Sequence, residues 1–273
     1  MKIGFIGIGN MGSAMIKGFL KAGFPKENIY VTSRTPDKLT QFKKETDVHI
    51  RFSNTELSKE VDFLFLAVKP PQYIEVLNEI QAGLEEIQPA LVSIAAGLSL
   101  KELQHMTKGI SNLPILRAMP NLGSMVGEGM TAVCTNESVS AEQLDFVVGL
   151  LESIGRVTEL PEAEFSVFSA IAGCSPAFTF LFIDSLAKAA VRHGIKKEEA
   201  VTIAAQAVLG SAKTVLETEI SPRDLADQVA SPGGTTIEGV LALEDTGFVS
   251  SVVQAVDAAV EKDIHLLKQK KEA

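Results

Sequence analysis

The chain has 273 residues, of which 46% are hydrophobic and 6% aromatic, enough for one large domain or two ordinary ones with aliphatic cores. Its formal net charge of −9 argues against a nucleic-acid partner, because binding to phosphate backbones requires clustered lysine and arginine. Cys134 and Cys174 are the only cysteines, too few for a disulfide framework and without metal-ligand spacing, so no metal site is expected.

The first predicted element is a short apolar strand that leads into a glycine-rich turn. Ile3, Phe5 and Ile6 precede Gly7-Ile8-Gly9-Asn10-Met11-Gly12, which has G-x-G-x-x-G spacing, and a helix is predicted over Ser13–Lys21. In such a turn the first glycine permits the tight bend, the second admits a pyrophosphate, and the third allows close packing of the helix. The helix N-terminus also attracts phosphate. This context predicts a dinucleotide-binding site; the alternative is a structural strand–helix turn.

The second predicted strand, Asn28–Thr32, bears on the choice of cofactor. An NAD-specific site places an acid at the end of this strand to bind the ribose 2′-hydroxyl. Here Ser33-Arg34-Thr35 follows the strand, and no acid occurs between Asn28 and Pro36. A guanidinium with flanking hydroxyls suits a 2′-phosphate, so NADP is favoured. The alternative is a solvated loop arginine.

Strand and helix patterns continue to alternate through about residue 160. The helices are predicted at Pro36–Lys44, Gln72–Leu84 and Ala141–Ser153. The further strands are predicted at Val48–Phe52, Val61–Val68, Ala90–Ala95, Leu113–Ala118, Met130–Cys134 (as an edge strand) and Gly155–Glu159. This alternation predicts a mostly parallel sheet covered on both faces, an α/β N-terminal Rossmann-type domain over residues 1–160.

Several residues in the first half are placed where a cofactor could contact them. Asn54 is either a helix N-cap or a polar contact to the adenosine end. Lys69 follows a buried central strand, so it borders the ligand crevice or is an ordinary surface lysine. Ala95 is small enough for a nicotinamide ring to lie against it. Arg117 and Asn121 line the site, or form a salt bridge and cap a turn.

From Glu162 onward the strand pattern stops, which predicts an all-α C-terminal domain over residues 161–273, with a boundary near Leu160-Pro161. The predicted helices are Glu162–Ala172 (ending at Gly173), Ala177–His193 (after Pro176), Lys197–Thr218, a short helix capped by Ser221, and Phe248–Leu267. So long a stretch of helix makes a thin core by itself, so we expect a helical domain shared in a dimer.

The most specific pattern in this half is Ser231-Pro232-Gly233-Gly234-Thr235-Thr236, before a predicted helix at Ile237–Glu244. Two glycines followed by helical N–H groups form an electropositive nest suited to a carboxylate, and the hydroxyls add donors and acceptors. The segment therefore predicts a substrate site. The alternative is a Pro-Gly turn with a threonine N-cap.

Taken together, four segments of the chain resemble pyrroline-5-carboxylate reductases. They are Phe-Ile-Gly-Ile-Gly-Asn-Met-Gly at residues 5–12, Ala67-Val68-Lys69-Pro70, Arg117-Ala118-Met119-Pro120-Asn121 and Asp227-Gln228-Val229-Ala230-Ser231-Pro232-Gly233-Gly234-Thr235-Thr236. By this resemblance, the pyrophosphate would be held by Gly7, Gly9, Asn10, Met11 and Gly12. The adenosine 2′-phosphate would be held by Ser33, Arg34 and Asn54, and the nicotinamide half would lie near Ala67, Lys69 and Ala95.

The resemblance also implies an activity. The enzyme would reduce pyrroline-5-carboxylate to proline with NADPH, or with NADH as an alternative cofactor. The backbone of Gly233, Gly234 and Thr235 would bind the substrate carboxylate beside Ser231, and the Thr236 hydroxyl would approach the ring nitrogen. Family members are dimers built through the helical domain, often assembled further into decamers.

The sequence departs from the family's pattern at one place. Family members usually have Gly-Ser-Gly-Pro-Ala where this chain has Gly173-Cys174-Ser175-Pro176-Ala177, and Ser175 narrows the backbone angles that a glycine would allow.

Two other functions stay open at this point. A β-hydroxyacid dehydrogenase would need a general base, for which Lys188 is the candidate, and a regulatory paralog would bind NADP without catalysis. No signal peptide is predicted, and no apolar run approaches the about 18 residues of a membrane span. We therefore expect a soluble, cytoplasmic protein.

Overall fold

The computed structural model describes the backbone of residues 1–272 and the side chains of residues 1–267, and the chain divides into two compact units. The first contains Met1–Gly173 together with the end of the last helix from Asp263, and the second contains Cys174–Lys262. The last strand ends at Glu159. The boundary predicted near Leu160-Pro161 stays a prediction.

One eight-stranded sheet forms the centre of the first unit, in the order β3-β2-β1-β4-β5-β6-β7-β8. The strands are β1 (Ile3–Ile6), β2 (Ile29–Thr32), β3 (His49–Ile50), β4 (Phe63–Leu66), β5 (Ala90–Ser93), β6 (Ile115–Met119), β7 (Gly129–Thr135) and β8 (Gly155–Glu159). All neighbouring strands are parallel except the antiparallel pair β6 and β7. The prediction of a mostly parallel α/β sheet is confirmed.

Helices cover both faces of this sheet. The helices of the first unit are α1 (Asn10–Lys21), α2 (Pro36–Thr46), α3 (Asn54–Ser58), α4 (Tyr73–Glu79), α5 (Gln81–Ile87), α6 (Leu100–Met106), α7 (Ala141–Glu152) and α8 (Phe165–Phe168). Because side chains of a strand alternate between faces, Phe5 packs in one core, stacked on Phe65 at 4.5 Å, and Ile6 packs in the other. Unbroken apolar strands are buried on both sides for this reason.

Three predictions for this unit need correction. The strand predicted as an edge at Met130–Cys134 is internal, because β8 pairs with β7 in parallel, so β3 and β8 are the edges. The single helix predicted over Gln72–Leu84 is two helices, α4 and α5, separated at Ile80. Helix α6 was not predicted, although a signal for it exists: Ser99 and Glu102 form a reciprocal capping box at its start.

The second unit consists of helices. They are α9 (Ser175–Arg192), α10 (Lys197–Thr218), α11 (Pro222–Val229), α12 (Thr235–Asp245) and α13 (Phe248–Glu272). Among its described side chains only Ala187, Ala200 and Ala204 are buried. A core of three alanines removes little apolar surface from water, so in a single chain this unit exposes most of its apolar side chains.

The helix predicted to end at Gly173 continues. One turn of π-helix, Ser169–Cys174, joins α8 to α9, and Ser175 is already helical. Pro176 has no N–H to donate to a carbonyl of the preceding turn. The carbonyl of Ala172 instead accepts from Asn121 Nδ2 at 2.8 Å, which is why a proline and a glycine do not end the helix.

The resulting helix, Glu162–Arg192, has 31 residues, and by length and composition it could cross a membrane. Only 17% of its most apolar 18-residue window is buried within the chain. The prediction from sequence did not contain such a helix, because the break predicted at Gly173 divided it into two shorter helices.

Candidate functional site

The predicted cofactor residues follow the carboxyl ends of adjacent strands. The strand order reverses between β1 and β4, and ligands of open α/β sheets bind at such a switch point. The last residues of four strands are in register, Ile6 with Thr32 and Leu66, and Leu66 with Ser93. The residues that leave the sheet at this edge therefore include Gly7, Gly9, Asn10, Met11, Gly12, Ser33, Arg34, Ala67, Lys69 and Ala95.

The glycine-rich turn is shaped by contacts of the backbone. Gly7 has a φ of 102°, and a Cβ there would lie 2.7 Å from the Ala67 carbonyl oxygen. A Cβ on Gly12 would lie 2.6 Å from the Gly7 carbonyl oxygen. A Cβ on Gly9, in contrast, would meet no described atom within 4 Å. Packing within the chain thus explains why residues 7 and 12 are glycines. Gly9, in contrast, faces open space that a ligand could fill.

Helix α1 presents a free N-terminus at this turn. It begins at Asn10, three residues earlier than predicted, with Gly9 as its N-cap and no capping side chain from the described residues. The first N–H groups of a helix have no partner within it, so those of α1 are available to an anion. A cavity of about 850 Å³ starts beside Gly9 and Asn10 and continues along α1 to Lys17 and Lys21.

The end of β2 carries a free cation. Arg34 is exposed and forms no ion pair within residues 1–267. Ser33 is half-buried, and its Oγ accepts from the Thr35 N–H at 3.4 Å. Because α2 begins at Pro36, the guanidinium lies on the short segment between strand and helix. It is free to bind an anionic group.

Asn54 does not cap the helix that it begins. The N-cap of α3 is Ser53, whose Oγ accepts from the Glu56 N–H at 3.2 Å, so the N-cap alternative for Asn54 is wrong. The Asn54 side chain instead accepts from Thr32 Oγ1 at 2.6 Å and donates to Glu79 Oε2 at 2.8 Å. Since Thr32 ends β2, these bonds hold the Asn54 amide at the carboxyl edge of the sheet.

A buried tyrosine connects the ends of β4 and β5. The Tyr73 hydroxyl donates to the Leu66 carbonyl at 2.7 Å and lies 3.0 Å from Ser93 Oγ. Because the tyrosine hydroxyl has only one proton, Ser93 is the donor in the second bond. Ser93 Oγ in turn lies 3.5 Å from the Ala95 N–H that donates to it. Burial raises the pKa of Tyr73, so the hydroxyl stays protonated.

Sequence reasoning missed Tyr73. The available signal was a tyrosine on the apolar face of the helix that follows β4. Lys69, in the preceding turn, is exposed and has no ion pair among the described residues.

Tyr73→Phe is expected to lower the free energy of unfolding by about 1–3 kcal/mol, because it removes the hydroxyl that donates to the buried Leu66 carbonyl and accepts from Ser93 Oγ, which leaves that carbonyl with only the 3.4 Å bond from the Ile94 N–H. Urea unfolding measures this value. Tyr30→Phe is the matched control, since Tyr30 is also buried but its hydroxyl makes no hydrogen bond within the described chain. Equal losses in the two variants would contradict the role of this bond.

Arg117 and Asn121 have structural contacts. Arg117 is buried, its Nη1 lies 2.5 Å from Glu162 Oε1, and its guanidinium stacks on Phe165 at 4.5 Å. The Asn121 amide donates to the Ala172 carbonyl and accepts from the Met130 N–H. The salt-bridge alternative is therefore confirmed for Arg117, whereas the turn-capping alternative for Asn121 is wrong, because its side chain makes no cap hydrogen bond to the turn that follows it.

In the second unit, the Ser231–Thr236 segment forms a tight turn directly before α12. Gly233 has a φ of 69°, and the Gly234 N–H donates to the Ser231 carbonyl at 3.0 Å. A Cβ on Gly234 would lie 2.5 Å from Ser231 Oγ. Gly234 is the N-cap of α12, so the alternative of a threonine N-cap is wrong, and the helix begins at Thr235 instead of Ile237.

The two threonines that begin α12 have free polar groups. Other helical threonines, such as Thr202 and Thr214, donate their hydroxyl to the carbonyl four residues earlier. Thr235 and Thr236 are exposed, and neither hydroxyl has a partner within residues 1–267. Their N–H groups are in the first turn, where a helix offers no acceptor. Since the Gly234 N–H is occupied, the donors left for a carboxylate here include those of Thr235 and Thr236.

An open dinucleotide turn on a parallel sheet, followed by a helical unit, defines the class of dinucleotide-dependent oxidoreductases. A family model described as NADP oxidoreductase coenzyme F420-dependent matches residues 2–97, and one for pyrroline-5-carboxylate reductase dimerisation matches residues 162–266. The pyrroline-5-carboxylate reductase of Escherichia coli is 40% identical over 269 residues, covering 98% of each chain. The chain therefore belongs to the pyrroline-5-carboxylate reductase family.

Solved structures agree with this assignment. The pyrroline-5-carboxylate reductase of Coxiella burnetii is 34% identical and superposes with a TM-score of 0.92, covering 97% of this chain and 98% of that one. The Plasmodium falciparum pyrroline carboxylate reductase, solved with NADP bound, is 35% identical with a TM-score of 0.84, covering 96% and 97%. The resemblance stated from the four segments is confirmed.

Proposed function

We propose that this protein reduces 1-pyrroline-5-carboxylate to L-proline, the last step of proline biosynthesis, with NADPH as the preferred hydride donor. The observation that carries the proposal is the pair of free threonines at the start of α12, in a chain whose other unit has an open dinucleotide turn. Relatives named for this reaction match the chain over nearly its full length.

The residues at the carboxyl edge of the sheet fit a dinucleotide, which supplies the hydride when bound. The turn from Gly7 to Gly12 receives the pyrophosphate, with Asn10 and Met11 contributing helical N–H groups. Ser33, Arg34 and Asn54 bind the adenosine ribose and its 2′-phosphate. Ala67, Lys69 and Ala95 border the nicotinamide half, where the small side chains leave room for a flat ring.

The turn before α12 binds the substrate carboxylate. Gly233 and the N–H groups at the start of α12, that of Thr235 first, provide the donors, while Ser231 keeps Gly234 in place. The Thr236 hydroxyl lies beside the ring nitrogen and orients it. A protonated cyclic imine is already electrophilic, so orientation of the substrate is the main task left to these residues.

The β-hydroxyacid dehydrogenase alternative has little support in the structure. Its candidate base, Lys188, is exposed and paired with Asp184 at 2.6 Å on the same helix. The alternative of a non-catalytic paralog predicts loss of the substrate turn, and that turn is intact.

The assay that tests the proposal is oxidation of NADPH on addition of pyrroline-5-carboxylate, with proline quantified in parallel. We expect equal amounts of NADPH consumed and proline formed. A protein that binds NADPH but oxidises none on addition of this substrate would contradict the proposal.

We also propose that the protein is cytoplasmic and forms a homodimer through its helical unit, which assembles further into a decamer. The exposed apolar faces of α9 and α13 would be covered in the dimer.

Val249→Asp is expected to shift the protein toward monomer in sedimentation at about micromolar concentration, because it places a charge in that contact. Ile74→Asp in the first unit is the control, as the two side chains are similarly exposed at 59% for Ile74 and 63% for Val249. A stable, active monomer of the unsubstituted protein would contradict the proposed dimer.

A further inference from the structure

The fold brings an acid to the end of β2, although none occurs there in the sequence. Thr32 Oγ1 donates to Asn54 Oδ1 at 2.6 Å, and Asn54 Nδ2 donates to Glu79 Oε2 at 2.8 Å. The Glu79 carbonyl also accepts from Thr55 Oγ1 at 2.9 Å, which fixes the end of α4 against α3. The Glu79 carboxylate is thus two hydrogen bonds away from the strand end where an NAD-specific site carries its acid.

The Glu79 carboxylate makes few contacts within the described chain. Glu79 is the last residue of α4 and lies two residues before the start of α5 at Gln81. Within residues 1–267 no lysine or arginine pairs with it, and its only side-chain hydrogen bond is the one to Asn54. The residue is exposed. Its second carboxylate oxygen, Oε1, is therefore free to accept from a ligand hydroxyl.

We propose that Glu79 is a specificity-determining residue that accepts a hydrogen bond from the adenosine 2′-hydroxyl of NADH, so that the protein uses NADH as well as NADPH. This inference rests on the proposed function. A carboxylate accepts a hydrogen bond from a hydroxyl but repels a phosphate, whereas a guanidinium binds a phosphate more strongly than a neutral hydroxyl. Glu79 and Arg34 thereby favour different cofactors, and the balance between them sets the preference.

The test is a fluorescence titration of the Glu79→Gln variant with NADH and with NADPH, without substrate. We expect the Kd for NADH to rise about tenfold, the scale of one hydrogen bond to a charged group. The Kd for NADPH should stay the same or fall, since Gln still accepts from Asn54 and no longer repels the 2′-phosphate. Glu75→Gln is the matched control, because Glu75 is exposed on the same helix one turn earlier and should change neither Kd.

Two outcomes would overturn the inference. Equal weakening of both cofactors would mean that Glu79 only holds Asn54, and no change in either Kd would mean that Glu79 does not contact the adenosine ribose. Neither outcome depends on turnover. Failure of the proposed function has a different signature, in which both cofactors bind but neither is oxidised with pyrroline-5-carboxylate.

Discussion

Thr236→Ala is expected to lower kcat for reduction of pyrroline-5-carboxylate by about ten- to a thousandfold, the range for loss of one positioned donor. The exposed hydroxyl of Thr236 has no partner within the described chain, so the substitution breaks no internal hydrogen bond that would destabilise the fold. The Kd for NADPH should be nearly unchanged, because the proposed cofactor residues all belong to the first unit. Steady-state kinetics and a fluorescence titration measure the two quantities.

Two further variants separate the hydroxyl from the backbone of this turn. Thr236→Ser retains the hydroxyl and should recover most of the activity, whereas Thr235→Ala removes only a hydroxyl beside N–H groups that remain and should have a smaller effect. Full activity in Thr236→Ala would show that its hydroxyl has no catalytic role. Loss of NADPH binding in that variant would refute the division of roles between the two units.

Arg34→Asp is expected to weaken NADPH by about 2–3 kcal/mol relative to NADH, or about 30- to 150-fold, since the 2′-phosphate loses a charged donor and meets a carboxylate. Arg34 is exposed and has no ion pair within residues 1–267, so the folded chain should tolerate the change. The ratio of kcat/KM for the two cofactors measures this change.

Lys44→Asp is the same charge reversal at an exposed position near the end of α2. It controls for the change in net charge and should leave the ratio unchanged. An equal effect of Arg34→Asp on both cofactors would argue against a 2′-phosphate contact.

The features that the sequence predicted well depend on neighbours in the chain. The turn from Gly7 to Gly12 lies between its strand and its helix, so spacing alone indicates how it folds. The same holds for α10, predicted and observed at Lys197–Thr218, and for the Ser221 cap of α11, whose hydroxyl accepts from the Asp224 N–H. Local hydrogen bonds and apolar periodicity are sufficient to define these elements.

The features that the sequence missed depend on partners far along the chain. Ser53 and Asn54 are both good N-cap residues. The Asn54 side chain does not cap the helix because it forms hydrogen bonds with Thr32 and Glu79, which are 22 and 25 residues away. The helix passes Gly173 because Asn121, 51 residues before Ala172, satisfies the carbonyl that Pro176 cannot. In these cases tertiary contacts outweigh local preference. Patterns among neighbouring residues cannot reveal such contacts, because the partners are far apart in the sequence.

The glycine-rich turn has a consequence for how the protein can change over time. The atoms nearest to a side chain at Gly7 or Gly12 would be carbonyl oxygens of the main chain. A clash with a neighbouring side chain can be relieved by shortening that neighbour, but no substitution shortens a carbonyl. Second-site replacements therefore cannot rescue a larger residue at either position. The residues around the turn can therefore be substituted during evolution, whereas Gly7 and Gly12 cannot be replaced by larger residues.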